Sequence, residues 1–369
     1  MSMKKILFTG GGTGGHIFPI ISVAEEIIKN DANVSFSYIG PKDFTAKTFL
    51  PLKNIKTYFI FSGKIRRYFS FESIIFNFID IVFKIPLGII QAFSIMFFTA
   101  PDLIFSKGGF GSIPVIIAGT ILRIPIFTHE SDSVPGLANK IGGFFSKKIF
   151  TSFEEYNSFP KEKVMNVGIP VRKSLIEGKK EDAFKEFDLV GNKSVILILG
   201  GSQGSERIND VIIESLPELL NDFEVIHQTG LKDIKRVIEE ASATVEKELL
   251  KYYHPYFFLD EKEMACAYAI TDYVIGRSGG GMISEISLLG KPSILIPLPE
   301  SAQDHQKINA YAYAKNGSCL VLEEPNFTKN FFIDKLKNID KEKMSQMAKE
   351  FSKPKASESI SQEILNFLN

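Results

Sequence analysis

The sequence predicts an α/β protein with two Rossmann-like, doubly wound parallel-sheet domains. Its 369 residues are too many for one ordinary hydrophobic core, so two domains are expected. Short apolar runs alternate with helical patterns in both halves, which is typical of parallel βαβ units. Each half also opens with a strand pattern that enters a glycine-rich loop, at residues 10–16 and again at residues 200–205.

Composition narrows the function classes. Hydrophobic residues make up 44% of the chain and charged residues 23%, as in a folded soluble protein. The formal net charge is zero, yet residues 1–168 carry 18 Lys and Arg against 12 Asp and Glu, while residues 169–369 carry 25 against 31. The first half therefore suits an anionic surface or substrate.

Cysteine usage and the start of the chain indicate a reducing compartment. Cys266 and Cys319 are the two cysteines, and neither has metal-ligand spacing around it. A disulfide framework and a zinc site are therefore not expected. The sequence enters a strand pattern after residue 5 without the apolar segment of a signal peptide, so we expect a cytoplasmic protein.

The opening loop is the feature around which the first half is organised. Residues 6–8 read as a strand, residues 10–16 as a glycine loop that ends in His16, and residues 17–28 as a helix with one apolar face. Glycine lets the backbone approach a ligand closely, and the helix N-terminus favours an anion such as a diphosphate. The next strand is predicted at residues 34–39.

The segment from residue 58 to residue 101 is dense in Phe and Ile and is flanked by Lys and Arg. Its longest charge-free run, residues 85–101, contains Pro86 and Gly88 and is shorter than a bilayer-spanning helix. Two other interpretations remain: core helices of the first domain, or amphipathic helices with an exposed apolar patch and a basic rim. Aromatic residues at helical spacing usually form core, so the residues alone favour core packing.

Further polar and glycine-rich loops follow strand patterns, where doubly wound sheets place their ligands. Gly108, Gly109 and Phe110 follow a strand at residues 103–105, and His129 and Glu130 follow one at residues 124–128. The domain boundary is predicted at residues 168–170, giving domains 1–168 and 169–354, with a C-terminal helix in residues 355–369 packed on the first domain. Other strands are predicted at residues 148–151, 164–167, 195–199, 225–228, 256–259, 273–276, 293–297 and 320–322.

Two common nucleotide-binding motifs are excluded. Gly10, Gly12 and Gly15 match a dinucleotide fingerprint, but the second strand ends at Gly40 and Pro41 instead of an acidic residue that would hold a ribose. The sequence also contains no phosphate-binding GxxxxGK[ST] loop. Neither a nicotinamide cofactor nor a P-loop reaction is expected.

A nucleotide-sugar reaction fits the remaining features. The turn at residues 277–285 again joins a strand to a helix. The N-terminus of that helix can face a diphosphate, while Glu285 accepts hydrogen bonds from ribose hydroxyls. Arg172 can stabilise the charge of the leaving nucleoside diphosphate. The sequence has no Asp-x-Asp triplet, the usual metal-binding element of such transferases, so the reaction is expected to need no metal.

These motifs together resemble those of the MurG family of N-acetylglucosaminyltransferases, which have the GT-B fold with two domains facing across a cleft. The resemblance runs in order along nearly the whole chain, with fitting lengths between the motifs. It rests on residues 10–16, 108–110, 129–130, 135–140, 168–172, 200–204 and 277–285.

The resemblance implies inverting transfer of GlcNAc from UDP-GlcNAc to the C4 hydroxyl of the muramoyl residue of lipid I, which forms lipid II for peptidoglycan. It implies a peripheral enzyme on the cytoplasmic face of the bacterial inner membrane, with an anionic membrane surface as partner and neither a cofactor nor a nucleic acid. It also shifts the interpretation of residues 58–101 toward a partly exposed patch.

The family's functional positions map onto particular residues here. The acceptor-side loops contain Gly108, Gly109 and Phe110. Asp132, Met282 and the pair of glycines at 280 and 281 depart from the residues frequent in the family. The implied UDP-GlcNAc site comprises Thr13, Gly14, Gly15, Asp132, Arg172, Ser202, Leu259, Gly280, Gly281, Met282, Ile283, Ser284, Glu285 and Gln306.

The sequence leaves the catalytic base open among three residues. His16 at the mouth of the glycine loop is the first candidate, as a general base or as a group that orients the acceptor. Glu130 is the second, with a structural hydrogen bond to loop amides as its alternative role. His129 competes with both. Two other functions also remain open: a UDP-sugar epimerase of the same fold and a non-catalytic nucleotide-sugar binding protein.

Overall fold

A computed structural model describes residues 3–11, 14–64, 66, 70–154, 158–201 and 204–369. The chain forms two compact units. Unit 1 comprises Met1–Val171 and Lys355–Asn369, and unit 2 comprises Arg172–Pro354. The chain thus passes into unit 2 after Val171, close to the predicted boundary, and returns to unit 1 for its last helix.

Unit 1 contains a seven-stranded sheet in the order β3-β2-β1-β4-β5-β6-β7, and every pairing is parallel. Its strands are β1 (Lys4–Thr9), β2 (Val34–Gly40), β3 (Lys56–Phe59), β4 (Leu103–Ser106), β5 (Ile126–Glu130), β6 (Lys148–Thr151) and β7 (Val164–Asn166). The helices of its continuous part are α1 (Gly14–Asn30), α2 (Phe44–Leu52), α3 (Phe71–Ile79), α4 (Ile85–Thr99), α5 (Ile113–Ile121) and α6 (Leu137–Phe145).

Unit 2 contains a six-stranded parallel sheet in the order β10-β9-β8-β11-β12-β13. Its strands are β8 (Ser194–Leu199), β9 (Phe223–Gln228), β10 (Tyr253–Tyr256), β11 (Tyr273–Gly276), β12 (Ser293–Leu295) and β13 (Leu320–Val321). The remaining helices are α7 (Lys180–Glu186), α8 (Glu206–Asp222), α9 (Ile234–Thr244), α10 (Glu261–Ile270), α11 (Gly280–Leu288), α12 (His305–Ala314), α13 (Lys329–Lys337), α14 (Lys341–Phe351) and α15 (Ala356–Leu368). The predicted α/β class with two parallel-sheet domains is confirmed.

The core of unit 1 is built from the apolar face of α1, the central strands and α15. Ile17 and Ile20 of α1 are buried with Phe8 of β1, and Ile360 and Ile364 of α15 belong to the same cluster. These positions recur at the helical period, which explains why one face of each helix is apolar. Burying that face holds α1, and therefore the loop before it, against the sheet.

One predicted strand of unit 2 is wrong. Residues 256–259 were expected to form a strand, but β10 ends at Tyr256. Phe257 and Phe258 are exposed, and Asp260 then caps α10 by accepting a hydrogen bond from the Glu263 amide. The aromatic run that suggests a strand is therefore the connection from an edge strand to a helix.

The apolar segment of unit 1 is largely exposed and is not broken at its proline. α3, a π-helical stretch at Asp80–Lys84 and α4 form one continuous helix, Phe71–Thr99, of 29 residues. Pro86 is tolerated because it lies at the start of α4, just after the wider π-helical turn. The most apolar window of this helix, with a mean hydropathy of 2.0, is only 17% buried. Ala92 and Met96 of α4 are buried in a core cluster, so the core interpretation holds for one face of α4 and is wrong for the greater part of the helix, which is exposed.

Candidate active site

The glycine loops of unit 1 meet at the carboxyl edge of its sheet. β1, β4 and β5 are neighbours, so the loops that follow them are adjacent. A Cβ atom on Gly109 would lie 2.6 Å from the carbonyl oxygen of Gly11 and 3.0 Å from Nε2 of His16. Gly109 also has a φ of +79°, which favours glycine. The close approach of the two loops therefore requires glycine at this position.

His16 lies in the first turn of α1 with its ring against the loop of Gly108 and Gly109. The side chain is half-buried, so it is held by the fold and still reached by solvent. Gly14 and Gly15 precede it in the same turn, whereas Thr13 lies outside the described residues. An imidazole beside a glycine loop is a candidate general base.

Two residues of β2 and the turn after it fix the opening loop. Tyr38 is buried and donates its phenol hydrogen to the carbonyl oxygen of Gly10 at 2.6 Å. Pro41 packs against Gly11, where an added Cβ would lie 2.8 Å from the proline ring. Sequence reasoning used Gly40 and Pro41 only to reject a dinucleotide site, and it missed Tyr38 because nothing local shows where a tyrosine hydroxyl points.

Glu130 holds the loop that follows β5. One carboxylate oxygen accepts from the Asp132 amide at 2.9 Å, and the other accepts from the Gly136 amide at 3.1 Å and from Nδ2 of Asn139 at 2.8 Å. Burial raises the pKa of Glu130 to about 7, and the nearby Asp132 carboxylate adds to the rise. The group titrates in the range of a general base, but both oxygens already have protein donors.

His129 is fully buried in β5. Its Nε2 atom lies 2.8 Å from the carbonyl oxygen of Gly168, so this nitrogen carries the hydrogen. Burial lowers the pKa of His129 well below the usual value, and the Lys107 ammonium lowers it further. The imidazole is therefore neutral and turned toward the end of β7, which suits a structural contact.

Residues 280–285, which the sequence predicts to bind the donor, lie at the N-terminus of α11. Gly280 to Glu285 form its first turns, after β11 at the centre of the sheet. A Cβ atom added to Gly279, Gly281 or Gly201 would meet nothing within 4 Å, so the space beside these glycines is open. Unpaired amides at a helix N-terminus next to open space can bind a diphosphate.

Glu285 forms a cluster with two partners on its own unit. Oη of Tyr268 donates to one carboxylate oxygen at 3.0 Å, and a guanidinium nitrogen of Arg172 lies 3.8 Å from the other. Arg172 is also 3.9 Å from a carboxylate oxygen of Glu261. Burial raises the pKa of Glu285, while the Arg172 charge opposes the rise. The cluster brings together a cation and an acceptor-rich carboxylate.

Leu259 and Gln306 form hydrogen bonds within unit 2, Leu259 through its backbone amide and Gln306 through its side-chain amide. The Leu259 amide donates to Oε1 of Gln228 at 3.1 Å, and Nε2 of Gln228 donates to the carbonyl oxygen of Gly201 at 3.0 Å. Gln306 accepts from the Leu298 amide at 3.1 Å through Oε1. Gln228 thus joins the glycine loop after β8 to Leu259. The sequence shows only that Gln228 ends a strand, so it did not predict this role.

Arg277 is a further organising residue that sequence reasoning did not single out. Its guanidinium donates to Oγ of Ser205 at 2.6 Å and to the carbonyl oxygen of Ile296 at 3.2 Å, and it pairs with Glu324 at 2.6 Å. It thereby fixes the start of α8 relative to the strand ends. Ser202, in the same glycine loop as Gly201, lies outside the described residues.

The structure thus gathers the predicted residues into two sets, one in each unit. Unit 1 brings together Gly14, Gly15, His16, Gly108, Gly109, Phe110, His129, Glu130 and Asp132. Unit 2 holds residues 280–285 in the first turns of α11 and brings Arg172 to 3.8 Å from Glu285, and it also contains Leu259 and Gln306. Within the described ranges, no three metal-ligating side chains form a cluster.

Comparison with known proteins decides the family. Residues 6–151 match the glycosyltransferase family 28 N-terminal domain, and residues 195–364 match its C-terminal domain. A Bacillus thuringiensis protein named UDP-N-acetylglucosamine–N-acetylmuramyl-(pentapeptide) pyrophosphoryl-undecaprenol N-acetylglucosamine transferase 3 is 39% identical over 333 residues, which cover 90% of each chain. The chain belongs to the MurG family of glycosyltransferases.

Solved structures agree with this fold. The crystal structure of Acinetobacter baumannii MurG matches with a TM-score of 0.73 at 22% identity, covering 98% of this chain and 99% of that one. A UDP-GlcNAc 2-epimerase from Neisseria meningitidis, bound to UDP-GlcNAc, matches with a TM-score of 0.67 at 17% identity, covering 98% and 100%. Both share the GT-B fold of the MurG family, and the sequence likeness of the curated relatives distinguishes the transferase from the epimerase.

Proposed function

We propose that the protein transfers GlcNAc from UDP-GlcNAc to the C4 hydroxyl of the muramoyl residue of lipid I, with inversion, and so forms lipid II. The observation that carries this proposal is the cluster of Arg172, Tyr268 and Glu285 at the open N-terminal turns of α11. The named activity of the 39% identical relative supports it. In the reaction the acceptor oxygen bonds to the anomeric carbon, the bond to UDP breaks, and the hydroxyl proton passes to a base.

The donor nucleotide is assigned to unit 2. The amides at the start of α11 and the glycine loop after β8 face the diphosphate, where helix dipoles stabilise negative charge. Arg172 supplies a cation for the leaving group, and Glu285 accepts from the ribose hydroxyls. Leu259 and Gln306 are assigned to the same site of unit 2, together with Ser202 and residues 280–284. In unit 1, Thr13, Gly14, Gly15 and Asp132 are the proposed substrate-binding residues.

His16 is the proposed general base. It is half-buried beside the glycine loops, where its ring can reach a substrate hydroxyl. Glu130 shares its carboxylate among three donors, and His129 is buried against Gly168. These contacts favour positioning roles for Glu130 and His129 over direct proton transfer. Gly108, Gly109 and Phe110 are assigned to the acceptor, whose diphosphate fits a glycine loop.

The helix Phe71–Thr99 is the proposed membrane contact. It leaves large apolar side chains exposed along its length, and two cations, Arg66 beside the helix and Lys84 within it, pair with the buried Asp80. An apolar face with basic neighbours binds an anionic membrane surface. We assign this face to the cytoplasmic side of the inner membrane, as a peripheral contact. The exposed apolar residues of the helix include Phe71, Ile74, Ile75, Phe76, Phe78, Ile81, Val82, Phe83, Leu87, Ile90, Phe97 and Phe98.

Incubation of the protein with labelled UDP-GlcNAc and lipid I tests the reaction. Label in a β1,4-linked disaccharide on the lipid is the expected result. Release of ManNAc would identify an epimerase instead. Tight UDP binding without either product would identify a non-catalytic binding protein, and both of these outcomes would contradict the proposal.

A further inference from the structure

Lys107 is a buried cation at the centre of the acceptor-side loops. It follows β4, between the ends of β1 and β5, and its amide donates to the Thr9 carbonyl oxygen at 2.8 Å. The residue is only 2% exposed. An ammonium group taken out of water costs several kcal/mol unless nearby groups compensate it, so this position calls for a partner.

The ammonium group reaches the loop after β5. Nζ of Lys107 donates a hydrogen bond to Oγ of Ser131, and the carboxylates of Glu130 and Asp132 are near enough to favour its charged form. Ser131 lies between the two carboxylate residues. Lys107 therefore contacts the loop whose other end is held by Glu130 through the amides of Asp132 and Gly136.

The charges around Lys107 argue against direct binding of a diphosphate. Glu130 and Asp132 together outweigh one ammonium group, so the Lys107 side chain is already neutralised and does not pair with the acceptor diphosphate, which is assigned to the backbone of residues 108–110. The same arrangement suits a different task. A carboxylate accepts three hydrogen bonds well only while it is ionised, and a buried cation nearby favours that form.

We propose that Lys107 is a positioning residue, whose buried ammonium group anchors Ser131 and keeps Glu130 ionised so that Glu130 holds the loop of residues 131–136. The inference deepens the proposed transfer reaction and rests on it, because Asp132 in this loop belongs to the proposed substrate site. The titratable groups that face Glu130 are Lys107 from β4 and Asp132 beyond β5. His129 of β5 and His16 of α1 lie beside the same loops.

The pKa values set a working range. Burial raises the pKa of Glu130 to about 7, and burial lowers the pKa of Lys107 to about 8. Below this range Glu130 gains a proton and loses acceptor capacity. Above it, Lys107 loses its charge. The loop is held best when Glu130 is ionised and Lys107 is charged.

Replacing the lysine tests this role. Lys107→Met should raise the apparent pKa of the acidic limb in the plot of kcat against pH by about one unit. At pH 7 this shift lowers kcat about fivefold. Lys107→Arg, which keeps the charge, should restore the limb. Lys5→Met is the matched control, because Lys5 is an exposed lysine of β1 at the opposite edge of the same sheet, and its profile should match the wild type.

Two further readouts separate positioning from simple packing. Hydrogen exchange of residues 131–136, corrected for intrinsic rates, should quicken in Lys107→Met at pH 7 and remain slow in Lys107→Arg. In a Glu130→Gln background, Lys107→Met should add little to the loss of kcat, because the two residues act together.

Several results would overturn the inference. In Lys107→Met, these are a loss of kcat that is equal at every pH, or a kcat profile like that of the wild type. The others are failure of Lys107→Arg to restore the profile, and a double variant in which the losses of kcat from Glu130→Gln and Lys107→Met multiply. The exchange measurement needs no substrate, so it still decides the role of Lys107 if wild-type protein forms no disaccharide, an outcome that would reject the proposed function alone.

Discussion

His16 touches the glycine loop after β4 through its ring, so its removal should affect the acceptor side and spare the nucleotide. We expect His16→Ala to lower kcat by about 10²–10⁴-fold, the usual contribution of a general base, with little change in UDP affinity. Single-turnover kinetics and UDP titration measure the two quantities. His254→Gln removes an imidazole from β10 of unit 2 and serves as the control. An unchanged kcat in His16→Ala would remove it from the mechanism.

Tyr38 acts on the opening loop after β1, because its hydroxyl donates to the Gly10 carbonyl oxygen. Tyr38→Phe leaves that buried acceptor without a partner, which should lower the free energy of unfolding by about 1–3 kcal/mol. It should also reduce kcat/KM for the acceptor several-fold as the loop shifts.

Denaturant unfolding and steady-state kinetics check both effects of Tyr38→Phe. Tyr58→Phe, on the neighbouring strand β3, removes a half-buried phenol outside the loop and should change neither quantity. Equal effects of the two substitutions would show that the Gly10 contact has no special role.

At the scale of single elements, the exposed helix Phe71–Thr99 yields a binding prediction. Cosedimentation with phosphatidylglycerol vesicles should occur at low salt, weaken as salt rises, and fall sharply in Ile75→Glu, because a charge on the apolar face must be desolvated. Ile238→Glu on α9 is a matched control, since Ile75 is 44% exposed and Ile238 is 45% exposed. Salt-insensitive binding, or equal loss in both variants, would contradict the assignment.

β9 carries a buried histidine that links stability to pH. His227 contacts Oη of Tyr253 at 2.8 Å and Oδ1 of Asn209 at 3.1 Å, and burial lowers its pKa to about 3. Its unfolded pKa is near 6.5, so its contribution is complete above pH 6.5 and is lost as the pH falls toward 3. The loss is at most about 1.4 kcal/mol per pH unit.

Hydrogen exchange of unit 2 peptides at pH 7.5 and pH 5 measures this dependence. His227→Gln should show a smaller difference in unfolding free energy between the two pH values than the wild type. His305→Gln removes a half-buried histidine at the start of α12 and should leave the difference unchanged. A wild-type difference in His227→Gln would assign the pH dependence to other groups.

For the whole molecule, the repeated order of strand, glycine loop and helix was enough to predict two parallel-sheet domains and the family. Local periodicity carries that information, because each helix and strand must present an apolar face to the sheet core. The same reasoning failed for residues 256–259, where aromatic side chains lie exposed in a connection. Periodicity also first favoured burial of the apolar helix Phe71–Thr99, because an apolar pattern does not show whether protein or another surface covers the apolar face.

The sequence predicted which loops form the candidate site, but it did not predict the side-chain contacts that hold those loops in place. His16, Glu130 and Glu285 were found because ionisable residues near strand ends are visible in the sequence. Tyr38 and Lys107 were missed as functional residues, because their roles depend on contacts with the distant residues Gly10 and Ser131. Such contacts arise from the sheet order, which no local pattern encodes.

Helix α15 determines when unit 1 can finish folding during synthesis. Unit 2 is one continuous stretch, Arg172–Pro354, and its core can close as soon as that stretch has left the ribosome. Unit 1 must wait, because Ile360 and Ile364 fill its core and Phe367 packs edge to face against Phe127, with ring centroids 5.2 Å apart. A nascent chain that stops before residue 355 therefore exposes an apolar groove on α1, which makes the first unit to be synthesised the last to be completed.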